Sequence, residues 1–180
     1  MANRSLESHV INNITVTPVE TYFGAPGLGR IVGRNSKGEN YGHNQREWLL
    51  QVTTDSGLTG LSNARPAMNS GGMVKLYNDF SDLIGQPLSV FFNVSGGRVT
   101  SISPRWSDLI DRYGFLDVAL FDLIGQVLGQ PAYNLLGDKV RDQVESYDSS
   151  LYFQDLVTPA GGANAVAIEA AEAVEKGWRA

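Results

Sequence analysis

The chain contains no cysteine, so it can build neither a disulfide framework nor a thiolate metal site, and nothing in it calls for an oxidising compartment. Long hydrophobic runs are missing as well. No stretch approaches the ~20 apolar residues that cross a bilayer, and the amino terminus MANRSLESHVINN lacks an apolar core of signal-peptide length. A cytoplasmic protein without membrane contact is the expectation. There is no basic excess either: the net charge is −5, spread without long runs of one sign, which favours solubility and disfavours nucleic acid as a partner. What is present suits a folded domain. Of 180 residues, 42% are hydrophobic, and a chain of this size hides roughly two thirds of its unfolded surface, enough for a core without staples.

Residues 10–21 read as a first strand, in which Ile14, Val16 and Val19 interleave with threonines. Pro18 places that strand at an edge or near its end. From Tyr22 to Asn44 the texture changes to a loop carrying six glycines, longer than connections usually are, which leans towards function or disorder. Its Gly24-Ala-Pro-Gly-Leu-Gly29 run is no phosphate cradle, because such loops work through a helix amino terminus directly behind them and none is signalled here. Trp48, Leu50 and Val52 alternate in the next strand. Asp55-Ser56-Gly57 then turns the chain before Leu58-Thr59-Gly60-Leu61 returns, giving an antiparallel three-stranded meander.

A helix follows over residues 73–83, with Met73, Leu76, Tyr77, Phe80 and Leu83 on one face and Gly85 as its stop. Ser103-Pro104 opens another as N-cap and first-turn proline, with Asp108 near its positive end and Trp106, Leu109, Ile110 and Tyr113 as its stripe. After Gly114, a helix over 115–128 turns Leu116, Ala119, Leu120, Leu123, Ile124 and Val127 towards a core. Gly129 and Pro131 end it, and 131–136 add a further turn or two. Beyond Gly137 the grammar becomes β/α: a strand over 144–153, an alanine-rich helix over 159–176, and Gly177 as its cap. The fold class is α+β: a meander followed by a helical bundle, plus one β/α unit of an incomplete TIM-type barrel. A lone unit of that kind leaves unpaired strand edges, so something is expected to cover it, and self-association or aggregation is expected if nothing does.

The run Phe115-Leu-Asp-Val-Ala-Leu-Phe-Asp-Leu-Ile-Gly-Gln-Val-Leu-Gly-Gln-Pro-Ala-Tyr-Asn-Leu-Leu-Gly137 resembles the end of the capping domain in the mandelate racemase and muconate lactonizing enzyme family of the enolase superfamily. The Ala-Leu-aromatic-Asp-Leu helix, the Gly-x-Pro break and the Leu-Leu-Gly are all in place. Thr54-Asp55-Ser56-Gly57 is similar to that family's meander turn, and Glu175-Lys176-Gly177-Trp178 to the end of its first barrel helix. Where the family often has lysine after the helix glycine and an acidic residue after the meander, this chain has Gln126 and Ser62-Asn63, a difference that bears on subgroup.

The resemblance implies a capping domain over residues 1–137, with a substrate lid at 22–44, and the start of a (β/α) barrel at 138–180. It implies an enzyme that abstracts a proton beside a carboxylate while magnesium stabilises the enediolate: an acid-sugar dehydratase, racemase or cycloisomerase. In that family the basic lysines and acidic metal ligands lie on later barrel strands. Catalytic residues and metal ligands are therefore expected to be absent here, with the fragment inactive and magnesium held only by the full-length enzyme. A small organic acid and the remaining barrel are the implied partners. Tyr22, Phe23, Leu28 and Ile31 are the lid candidates, since apolar lid residues exclude water; the alternative is an ordinary surface loop. His43 could reach substrate on closure. Asp148 and Ser150, with Ser149 between them, sit late in the first barrel strand, whose carboxyl end faces the active site in such barrels; the alternative is hydrogen bonding that orders the barrel mouth.

Other constellations are quieter. Asp117 and Asp122 are five residues apart on a helix, which turns them roughly 140 degrees away from each other, so structural hydrogen bonding suits them better than paired catalysis. His9 is expected in a frayed terminus, and neither it nor His43 has a neighbour at metal-ligand spacing. A different class of answer is a non-catalytic interaction module, with Trp178 and the strand edge at 144–153 as its adhesive features.

Overall fold

The structure, a computed structural model, describes residues 2–22, 32–34, 40–42, 44–64, 70–147 and 162–178. Its elements run α1 (Ala2–Glu7), β1 (Ile11–Tyr22), β2 (Val32–Arg34), β3 (Asn40–Gly42), β4 (Asn44–Thr54), β5 (Thr59–Asn63), α2 (Ser70–Phe80), β6 (Phe92–Ser95), β7 (Arg98–Ile102), α3 (Pro104–Arg112), α4 (Gly114–Leu128), α5 (Ala132–Leu136) and α6 (Gly162–Glu175). The chain is α+β, and its three-stranded antiparallel sheet and following helices agree with the sequence reading. Two compact units divide it, 1–19 with 47–140 and 20–46 with 141–180.

In the first unit the sheet order is β1-β4-β5, and β4 and β5 are registered from Leu49 opposite Asn63 to Thr53 opposite Thr59. Alternation decides which face is covered: Ile14 and Val16 on β1, Leu50 and Val52 on β4, and Gly60 and Ser62 on β5 are all buried. Against them packs α4, whose Leu116, Ala119, Leu120, Leu123 and Ile124 are buried. Each fully buried leucine there contributes roughly 1.5–3 kcal/mol. The helix stops at Gly129, which takes φ +64; the amide of Gly129 donates to Gln126 O and that of Gln130 to Gly125 O, the Schellman pattern that only a residue free to adopt positive φ completes cheaply.

The remaining helices add aromatic side chains to the same core. Leu76, Phe80 and Leu83 are buried along α2 and the 3-10 turn Ser81–Leu83 that extends it. Phe80 meets Tyr113 edge-on at 5.0 Å, Phe91 meets Trp106 at 5.1 Å, and Phe92 meets Phe121 at 5.1 Å, contacts that exceed plain area burial in stabilisation.

Several expectations are corrected. The amino terminus is not frayed: 2–7 are helical and Leu6 is fully buried, because one apolar side chain in a short helix can dock on a core that propensity alone does not reveal. Ser103 precedes α3 as expected but makes no side-chain capping bond; its carbonyl instead accepts from the Trp106 amide. The glycine-rich 22–44 segment is not all loop, since β2 and β3 pair antiparallel, Val32 opposite Gly42 and Arg34 opposite Asn40. A hairpin of β6 and β7, absent from the sequence reading, turns at Gly96 and Gly97, both at positive φ. Residues 144–147 are exposed and form no strand; no described strand lies alongside to supply a ladder. The rest of that expected strand, 148–153, lies outside the described residues.

In the second unit α6 ends as the sequence indicates. Gly177 takes φ +93, its amide donates to Val174 O, and the Trp178 amide donates to Ala173 O.

Candidate functional site

Part of the 115–137 run that carries the family resemblance meets β5 in one joint. Gly60 is needed there because a Cβ would stand 2.1 Å from the carbonyl oxygen of Ala119 and 2.8 Å from Leu123 Cγ. Gly125 allows the chain after α4 to fold back, since a Cβ on it would lie 2.8 Å from Gln130 O. Asp122 accepts from the Leu61 amide at 3.0 Å, and Gln126 donates to Thr59 O at 2.9 Å. Gln130 donates through Nε2 to Gly97 O. Asp122, Gly125, Gln126, Gly129, Gln130, Pro131 and Ala132 line a shallow groove of about 360 Å³. Asp122, Gln126 and Gln130 each bond a backbone group across the joint.

A second joint ties the amino terminus to the meander turn. Asp55 donates its amide to Val10 O at 2.8 Å and accepts the Val10 amide on Oδ1 at 3.0 Å. Thr54 Oγ1 donates to Leu58 O at 3.3 Å, which leaves it to accept from Ser56 Oγ at 2.9 Å. Ser56 Oγ shares a second hydrogen bond with His9 Nδ1 at 2.6 Å. His9 is thus a clasp residue, half-buried rather than freely solvated.

Among the described residues two carboxylates have perturbed acidity. Asp79 is lowered from 3.8 to about 2, first by the hydrogen bond from Lys75 (2.6 Å), then by those from the Tyr113 hydroxyl (2.7 Å) and Arg112 (3.1 Å). The same contact raises Lys75. Asp117 is raised, by burial first and the neighbouring Asp111 charge second. Its Oδ1 is buried without a hydrogen-bond partner. Structural hydrogen bonding therefore holds for Asp122 and fails for this oxygen of Asp117. Asp79 ties α2 to Arg112 and Tyr113, and neither acid lines the groove.

Of the candidate substrate residues, Tyr22 is the last residue of β1. Phe23, Leu28, Ile31, His43, Asp148 and Ser150 lie outside the described residues. The 22–44 segment leaves from β1 and returns into β4, with an exposed ion pair between Glu20 and Arg46 at 3.8 Å near its two ends. Among the described residues no group of three or more His, Cys, Asp or Glu side chains could hold a metal ion. Asp79 is engaged by Lys75, Arg112 and the Tyr113 hydroxyl, Asp122 accepts the Leu61 amide, and Asp138 is paired with Arg98. Among those residues no helix is long and apolar enough to cross a membrane.

No protein-family model matches the chain. Over 115 residues, 56% of this chain, it is 32% identical to a D-galactonate dehydratase of Ralstonia pickettii (strain 12J), and that match spans only 27% of the relative's length. A member of the enolase superfamily from Polaromonas sp. JS666 superposes with a TM-score of 0.58 at 21% identity, over 93% of this chain and 42% of that one. A mandelate racemase/muconate lactonizing protein from Geobacillus sp. Y412MC10, complexed with magnesium and tartrate, superposes with a TM-score of 0.55 at 22% identity, over 83% of this chain and 34% of that one. The resemblance read in residues 115–137 therefore holds in the fold: the chain carries the N-terminal α+β fold of the mandelate racemase/muconate lactonizing enzymes of the enolase superfamily.

Proposed function

We propose that the chain is the capping and specificity region, with the start of the barrel, of a magnesium-dependent enolase-superfamily enzyme that abstracts the α-proton of a small organic acid. The observation that carries this reading is the β5–α4 joint: within the run that matches the family's wording, Gly125 explains the packing by close approach and Asp122 by its bond to Leu61, while Gly60 of β5 lets Ala119 and Leu123 of that run come close. On this reading residues 1–137 are the cap and 138–180 begin the barrel. Tyr22, Phe23, Leu28 and Ile31 close over the substrate and exclude water, and His43, Asp148 and Ser150 contact its polar groups.

The sequence relative, a D-galactonate dehydratase, favours an acid-sugar dehydratase over a racemase or cycloisomerase. In the whole enzyme, magnesium would supply charge stabilisation for the enediolate, held by residues beyond those described here. Proton transfer would likewise fall to residues outside this chain, so the fragment by itself is inactive. Loss of the α-proton of sugar acids to deuterated solvent, followed by NMR with magnesium present, tests the reading. No exchange by the isolated chain is the expected result; metal-dependent exchange would overturn it.

A further inference from the structure

An antiparallel sheet of three strands has two free edges, and each presents unpaired amides and carbonyls that template pairing with another chain. At the β1 edge the backbone itself closes the start of the strand: the Ile11 amide donates to Gln86 O at 2.9 Å and the Gly85 amide to Ile11 O at 2.8 Å. Further along, the Val16 amide is met by the Tyr77 hydroxyl at 3.2 Å, and Pro18 interrupts the donors. Among the described residues the β5 edge has none of these. Its sequence Thr-Gly-Leu-Ser-Asn contains no proline, no lysine and no charge, and Leu61 is 45% exposed.

We propose that Asp122 and Gln126 are the guards of this edge, standing one helical turn apart on α4 and offering β5 the acceptor and donor that a fourth strand would offer. The pairing is geometric. Residues 59 and 61 alternate with buried Gly60 and Ser62, so one carbonyl and one amide two residues apart need partners of opposite kind at a spacing of about 6–7 Å. Side chains at i and i+4 of a helix lie on the same face with Cβ atoms about 5–6 Å apart, close enough to serve both groups. Asp122 takes the Leu61 amide at 3.0 Å and Gln126 supplies the Thr59 carbonyl at 2.9 Å. Gly60 is what lets α4 come this close, because any Cβ would strike Ala119 O. The occupant kept out is the same strand of a second copy of this chain, since a run without charge or proline pairs with itself without repulsion.

Amide exchange at Leu61 and light scattering across a concentration series test this. In Asp122→Ala the Leu61 amide exchanges on the order of 10-fold faster or more, the factor set by loss of a charge-assisted bond, while the Leu50 and Val52 amides are unchanged. Asp122→Asn, which keeps an acceptor, restores most of the protection. The double variant Asp122→Ala/Gln126→Ala self-associates at concentrations where the parent's mass is constant, and adding Leu61→Pro, which removes the freed donor, abolishes the added association. Should the double variant not fold by circular dichroism, Gln126→Glu carries the same association readout, because the site is exposed and the change replaces the donor by an acceptor. Equal Leu61 exchange in parent and Asp122→Ala, an unchanged mass in the folded guard variants, or association that persists with Leu61→Pro would each overturn the assignment.

Discussion

Helices α4 and α6 end in the same way and are buried very differently. Each stops at a glycine in the left-handed region, Gly129 or Gly177, with the same pair of reversed backbone hydrogen bonds. Yet α4 buries Leu116, Leu120, Leu123 and Ile124 completely or nearly so, whereas α6 leaves Ile168 61% and Val174 69% exposed. A helix end is a local matter of one residue's φ freedom. A buried face needs a partner, and α4 has β5, α3 and α1 against it. On the proposed reading, the apolar residues of α6 are those a barrel helix would turn to neighbours of its own.

The largest expected effect tests that contrast by apolar truncation on each helix. Leu123→Ala, at a fully buried position, should cost about 3 kcal/mol by transfer and cavity terms, while Val174→Ala, 69% exposed, should stay within about 0.5 kcal/mol. Chemical denaturation of both checks it, and equal effects would erase the distinction. Next comes the joint itself. Gly60→Ala forces a Cβ onto backbone and should cost roughly 1–3 kcal/mol or more, whereas Gly57→Ala, at φ +84 with nothing within 4 Å, carries only the strain of the left-handed region, about 1 kcal/mol. The ratio of the two losses, read from thermal melts, separates close approach from turn strain.

The two perturbed acids give smaller effects of opposite sign. The folded value of Asp79 lies below its ordinary 3.8, at about 2, so its contribution is present above pH 4 and is lost as pH falls through 2. Asp79→Asn should flatten the parent's loss of melting temperature across that window. Asp117 is raised above 3.8, so its burial opposes folding once it ionises: stability is fully present below pH 3.8 and is lost as pH rises through the folded value. Asp117→Asn should therefore melt slightly higher than the parent at pH 7, and that gain should vanish in acid.

The same division between local and non-local explains what the sequence disclosed. Strands β1, β4 and β5 and helices α3 to α6 were legible because turn glycines, Pro104 and Pro131, and apolar spacing act within a few residues. The β6–β7 hairpin was not, although Gly96-Gly97 signals it, because β6 is only four residues long and the register shift opposite Asn93 and Val94 breaks the alternation along β7. Helix α1 rests on Leu6 docking into a core made elsewhere. The expected strand at 144–153 depended on neighbours that the described residues do not include. Of the candidate site, the sequence supplied a plausible set and the structure fixes only its flank: Tyr22 ends β1, and Glu20 faces Arg46 across the root of the segment. Asp122 and Gly125 were visible as wording before their reason was visible as distances, and the part played by Gly60 came only with the distances.

The central claim is that this chain caps a catalytic barrel, and joining it to one tests that most directly. The chain would be fused in register to the barrel of the Ralstonia pickettii D-galactonate dehydratase, and exchange of the α-proton of sugar acids followed with magnesium. Exchange by the joined protein and none by the chain alone is the predicted result. A joined protein that folds and binds magnesium but leaves every α-proton in place, or a separate chain that exchanges it unaided, would contradict the account.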